Sequence, residues 1–110
     1  MIVVVVGVCG SGKTTLVKNL QKNGIDAYNV AQEHSCIKQL WKHKKPDKVI
    51  MLDASYDVIQ QRRGLLWGKE TLKEQHQRLQ DALNNSDLLI KTDDLTIAEV
   101  SDTVLKFLQQ

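Results

Sequence analysis

The sequence has little of what would assign it to a secreted, membrane-bound or nucleic-acid-binding class. It holds 2 cysteines, Cys9 and Cys36, whose separation matches no zinc spacing, and no signal peptide is expected to place them in an oxidising compartment. Two free thiols in a cytoplasmic protein are expected, with no disulfide framework. An excess of one charge is missing as well, since 15 basic residues against 13 acidic ones give a net charge of +2. Such balance gives no bulk electrostatic drive toward DNA, RNA or an anionic membrane. The opening apolar run, "IVVVV", falls far short of the roughly 20 residues that a membrane span needs. There is no internal repeat, low-complexity tract or linker. A length of 110 residues with 42% apolar content suits one domain (1–110) around a modest core.

What is present is a regular alternation. The run at residues 2–6 is β-branched without polar interruption, the pattern of a strand covered on both faces in a parallel sheet. It leads into "GVCGSGKTT" at residues 7–15, after which Leu16, Val17 and Leu20 recur at helical spacing and Gly24 supplies a stop. "IDAYNV", residues 25–30, reads as a second strand. A helix is expected next, capped by Ser35, running through Ile37, Leu40 and Trp41, and ending before the single proline, Pro46. "KVIMLD", residues 48–53, and "LLI", residues 88–90, complete the strands. Between them a helix starts near Ser55, breaks around residues 64–68, and resumes with Leu72, Leu79 and Leu83 on one face. Thr96 and Glu99 have capping-box spacing and open a last helix with the stripe Ile97, Val100, Val104, Phe107 and Leu108. The expected fold is α/β, in three layers, with a short and mainly four-stranded parallel sheet flanked by helices.

Gly7, Gly12, Lys13 and Thr14 fit the phosphate-binding pattern G-x-x-x-x-G-K-[ST] in full, between a strand and an amphipathic helix. A loop that wraps a phosphate must turn several backbone N–H groups inward, which calls for glycine at Gly7, Gly10 and Gly12. The helix that follows adds its positive dipole end to the same anion. Lys13 is expected between the β- and γ-phosphates, the Thr14 hydroxyl at Mg²⁺, and Thr15 near the α-phosphate. Cys9 and Ser11 complete the nucleotide-binding set, with Cys9 read as loop packing and not as a nucleophile.

With that loop in place the chain resembles the P-loop kinase group, which holds the nucleoside monophosphate kinases, as a shortened member with a P-loop NTPase fold. "GVCGSGKTT", "PDKVIMLDASYDVIQQRR" and "NNSDLLIKTDDLTIAEVSDTVLKFL" carry the likeness. The resemblance implies that Arg62 and Arg63 occupy the place of lid arginines, which neutralise charge on a transferring phosphoryl group. A solvated basic helix face is the other reading of the pair. It also implies that the loop from Thr92 to Leu95 borders the base. "IKTDDL" does not match the N-K-x-D stretch of guanine-specific proteins, so ATP with Mg²⁺ is the expected cofactor.

Two carboxylates compete for the metal-linked or general-base role. Asp53 ends a strand and resembles a Walker B acid, yet in these kinases the aspartate there precedes the lid and does not hold metal. It could also cap the helix that follows. If the strand at 25–30 lies beside the first, Gln32, Glu33 and His34 face the phosphates, and Glu33 is the better base and metal-linked group. His34 could serve acid–base chemistry or bind substrate, and Trp67, in a glycine-flanked lid-like turn, could stack on a base; their bland readings are as polar loop and packing residues, and Trp41 reads as core. The Lys42, Lys44, Lys45 and Lys48 cluster reads as a solvated helix end or as a contact for a phosphorylated partner.

Three functions follow from these residues: a small kinase with an unidentified small-molecule acceptor, a non-catalytic nucleotide-binding module, and a slow NTPase in which Gln32 or Glu33 orients water. No separate acceptor domain is visible, so the acceptor is small or is held partly by a second copy or another protein. Neither nucleic acid nor membrane is expected as a partner.

Overall fold

The chain alternates strand and helix around one parallel sheet. The computed structural model describes residues 1–64 and 68–109, and at Arg63 the backbone only. The strands are β1 (Ile2–Gly7), β2 (Asp26–Asn29), β3 (Lys48–Asp53) and β4 (Leu88–Lys91); the helices are α1 (Lys13–Lys22), α2 (Tyr56–Arg63), α3 (Lys69–Asn84) and α4 (Ile97–Leu108). All pairings are parallel, in the order β2-β1-β3-β4. The fold is thus a four-stranded α/β sheet flanked by helices, as in P-loop NTPases. Trp67 and its neighbours at 65–67, expected in a lid-like turn, lie outside the described residues. No helix among the described residues is long and apolar enough to cross a membrane.

The period-2 geometry of a strand explains why β1 needs an unbroken valine run. Val3 and Val5 point into one core with Leu16, Leu20, Ile50, Val100 and Val104, so α1 and α4 cover that face. Val4 and Val6 point into the other with Trp41, Met51, Ile59, Leu72 and Leu79, so α2 and α3 cover the opposite face. Each such buried side chain contributes about 1.5–3 kcal/mol by leaving water, and placing both faces inside makes β1 the centre of the molecule. The loop that follows it inherits that rigidity.

Two helix readings change. The segment after β2 forms no α-helix; it makes short 3-10 turns at Gln32–His34 and Leu40–Lys44. The Gln32 side chain, wholly buried, donates to the Ile37 carbonyl at 2.6 Å and accepts from the Trp41 amide at 3.0 Å. The Ser35 hydroxyl accepts from the Ile37 amide at 3.0 Å, two residues on, and so closes a turn where a helix cap was expected. Those bonds satisfy the backbone in place of an α-helical ladder. Trp41 is buried as expected, from a 3-10 turn. In α4, Thr96 and Glu99 form the expected capping box, while Ile97 stands 60% exposed and leaves the buried stripe to Val100 and Val104.

Candidate functional site

The site lies at the carboxyl end of β1, where the chain turns into α1. Gly10 and Gly12 take positive φ, 85° and 103°, which only glycine adopts without strain. Gly7 is required for a different reason from the freedom expected of it. A Cβ there would stand 2.3 Å from the Leu52 carbonyl oxygen of β3 and 2.8 Å from Ser11 Oγ. Gly12 caps α1 without a side-chain hydrogen bond, leaving the first-turn amides of that helix for an anion.

Lys13 is 8% exposed, and its ammonium donates to the Gly7 carbonyl at 2.9 Å, the Val8 carbonyl at 3.1 Å and Glu33 Oε2 at 2.5 Å. Because β2 lies directly beside β1, the turn after β2 carries Glu33 to the loop. Glu33 is 3% exposed, and its second oxygen, Oε1, is buried with no hydrogen-bond partner among the described residues. A cavity of about 290 Å³ is lined by Gly12, Lys13, Thr14, Asn29 and Glu33 among others. Asn29 Nδ2 donates to Thr14 Oγ1 at 3.1 Å, so the Thr14 hydroxyl is held at the wall of that cavity.

On the other side of the loop Arg62 crosses from α2. Its guanidinium donates to the Gly10 carbonyl at 3.2 Å, to Thr92 Oγ1 at 3.0 Å and to the Thr92 carbonyl at 2.5 Å. Arg62 is therefore bonded to the loop and to the turn after β4, whereas the Arg63 side chain lies outside the described residues. Thr92 is 2% exposed and donates to the Ser11 carbonyl at 3.0 Å. Between the loop and the start of α4 is a cavity of about 470 Å³, lined by Thr15, Leu16, Leu95, Ile97 and Val100 with Arg62 and Thr92. Its size falls within the usual range for small-molecule sites.

A family model for an AAA domain matches residues 3–106. The chain belongs to that AAA domain family. The family is of the P-loop NTPase type, so this AAA-domain chain is a P-loop nucleotide-binding protein. The match carries the superfamily and not the narrower nucleoside monophosphate kinase group expected from the sequence. No curated protein matches the chain.

The other expected residues are divided between the cradle and its surroundings. Asp53 does not cap α2; Ser55 does, accepting from the Val58 amide. The Asp53 carboxylate instead lies 3.0 Å from His76 Nε2 on α3. Gln32 has both ends of its amide engaged within its own segment and is not a group that orients water. His34 is largely exposed, 3.8 Å from Glu33 Oε2. Cys9 lines the cradle cavity, and its amide donates to Gln75 Oε1 at 2.9 Å. Gln75, Asn29 and Arg78 were not expected at the site. Gln75 had a signal: it sits between Leu72 and Leu79 on the buried stripe of α3, where a polar residue needs a partner.

Proposed function

We propose that this protein binds Mg-ATP on the loop and transfers its terminal phosphoryl group to a small acceptor. The observation that carries the reading is Glu33: a buried carboxylate beside Lys13, with one oxygen unpartnered among the described residues, in the wall of the cavity that Thr14 also lines. A buried glutamate with an unused acceptor atom is costly unless something takes that atom, and a metal ion beside the phosphates would do so.

The residues fit a magnesium ion. Mg²⁺ is commonly held by one or two carboxylates together with substrate phosphates, and Thr14 Oγ1 and Glu33 Oε1 are the oxygens that would hold it here. Bound there, the ion would neutralise charge on the phosphate oxygens. The first-turn amides of α1 and the Lys13 ammonium bind and orient the phosphates once Lys13 exchanges its carbonyl partners for them. Arg62 adds positive charge from the α2 side. With Oε2 on Lys13 and Oε1 on the ion, Glu33 acts through the metal, and the proton of the attacking hydroxyl passes to the transferred phosphoryl group or to water. The larger cavity receives the base against Leu16, Leu95 and Val100, and ATP is the nucleotide proposed.

A second reading, hydrolysis of ATP without an acceptor, is favoured by one observation. The segment between β2 and β3 is packed down through Gln32 and Trp41, whose indole donates to Asp81 Oδ2 at 3.0 Å, so it offers no acceptor domain. An acceptor site shared with a second copy or another protein would meet the same constraint. Transfer of a labelled γ-phosphoryl group to a panel of nucleosides, nucleotides, sugars and small acids tests the proposal. A labelled organic product supports the kinase; labelled inorganic phosphate alone supports the hydrolase.

A further inference from the structure

α3 touches the ends of three strands at once. Gln75 Oε1 accepts the Cys9 amide after β1, His76 Nε2 lies 3.0 Å from Asp53 Oδ1 at the end of β3, and Arg78 Nη1 donates to the Glu33 carbonyl after β2 at 3.2 Å. Gln75 is the deepest of the three, 1% exposed on a stripe otherwise made of Leu72, Leu79 and Ala82. An amide on such a stripe is unfavourable unless it is bonded, and this one is bonded to the phosphate loop.

The loop needs an outside anchor. Its amides must remain available to an anion, so the loop cannot use all of them to hold itself, and Gly10 and Gly12 loosen it further. Within the loop the Ser11 amide is tied to the Val8 carbonyl at 3.2 Å. From outside, α2 grips Gly10 through Arg62 and α3 grips the adjacent Cys9 through Gln75. We infer that Gln75 is a positioning residue for nucleotide binding, holding the first limb of the phosphate loop in its receiving shape through the Cys9 amide. The inference rests on the reading of the loop as the nucleotide site and is independent of what becomes of the phosphoryl group. Preorganisation of this kind raises affinity, because less ordering remains to be done on binding.

Gln75→Met keeps the length and bulk of the side chain and removes the acceptor. The expected result is binding of Mg-ADP and Mg-ATP weakened about 3- to 10-fold, the worth of one hydrogen bond. KM for ATP rises by the same factor in any ADP-releasing assay and kcat stays within about twofold, while the loss of the bond in the ligand-free protein lowers the melting temperature by a few degrees. In the unmodified protein the Cys9 amide exchanges with solvent deuterium more slowly than the neighbouring Gly10 amide, and Gln75→Met removes that difference. Equal nucleotide affinity in Gln75→Met, or a Cys9 amide in the unmodified protein that exchanges as fast as that of Gly10, overturns the inference. The second measurement needs no variant and decides the matter if Gln75→Met fails to fold. Lys13→Ala is the control: unmodified protein that binds nucleotide no better than Lys13→Ala overturns the nucleotide reading of the loop, and the role of Gln75 with it.

Discussion

Lys13 Nζ lies 2.5 Å from Glu33 Oε2, with both side chains more than nine-tenths buried, at the junction of the phosphate loop and the turn after β2. The two residues are 20 apart in sequence, and the pair joins the loop after β1 to the turn after β2. Removing one partner leaves the other charge buried without compensation. Lys13→Ala is therefore expected to destabilise the ligand-free protein by about 3 kcal/mol. The double variant Lys13→Ala/Glu33→Gln recovers part of that loss, with a coupling of about 1–3 kcal/mol. Urea denaturation of the four proteins measures it.

Gly7→Ala tests the close approach of β1 to β3. The new methyl group meets a backbone carbonyl, Leu52 O, inside a paired sheet, and a carbonyl held in a ladder cannot swing away as a side chain can. A loss of about 2–3 kcal/mol is expected from overpacking of this kind. Gly24→Ala, where a Cβ meets nothing within 4 Å, is the comparison; its positive φ of 79° costs only about 1 kcal/mol. Chemical denaturation of the two variants ranks them.

Arg62→Lys keeps the charge and loses the fork that reaches Thr92 and Gly10 together. Because Arg62 is exposed, stability should change by under about 1 kcal/mol. The rate of ADP formation at saturating ATP is expected to fall about 10- to 100-fold, since the charge no longer sits against the loop.

The capping box of α4 gives the pH dependence. The Glu99 carboxyl is held below its usual pKa of 4.5, first by its hydrogen bond from the Thr96 backbone amide and then by the one with the Thr96 side chain. A carboxyl whose folded pKa is depressed contributes stability above its unfolded pKa and loses it as pH falls through the folded one. Melting temperature should therefore decline on acidification below 4.5 more steeply in the unmodified protein than in Glu99→Gln. Thr96→Ala, which removes the cap itself, should cost about 1 kcal/mol at neutral pH.

The parts of the fold legible in the sequence are those set by local chemistry. The valine run of β1, the glycines and lysine of the loop, and the Thr96–Glu99 box each carry a pattern that a single stretch of chain determines. What was not legible depends on contacts between distant segments. Nothing local shows that Gln32 would satisfy its own backbone neighbourhood at Ile37 and Trp41 and so replace a helix by two 3-10 turns. The placement of β2 against β1, stated only as a condition at the sequence level, decides that Glu33 and not Asp53 meets Lys13. Gln75 was visible only as a polar residue out of place on an apolar stripe; its partner, the Cys9 amide, lies 66 residues away.

If Glu33 acts in phosphoryl transfer from ATP, its substitution slows turnover and leaves nucleotide binding largely intact. ADP release from Mg-ATP, measured at saturating nucleotide for the unmodified protein and Glu33→Gln with the acceptor panel present, tests it most directly, with nucleotide affinity measured on the same samples. ADP release is expected in the unmodified protein, and Glu33→Gln is expected to slow it by about 100-fold or more while affinity changes by less than about tenfold. Equal rates in the two proteins, or ATP bound by the unmodified protein with no ADP released above the Lys13→Ala background, would contradict it.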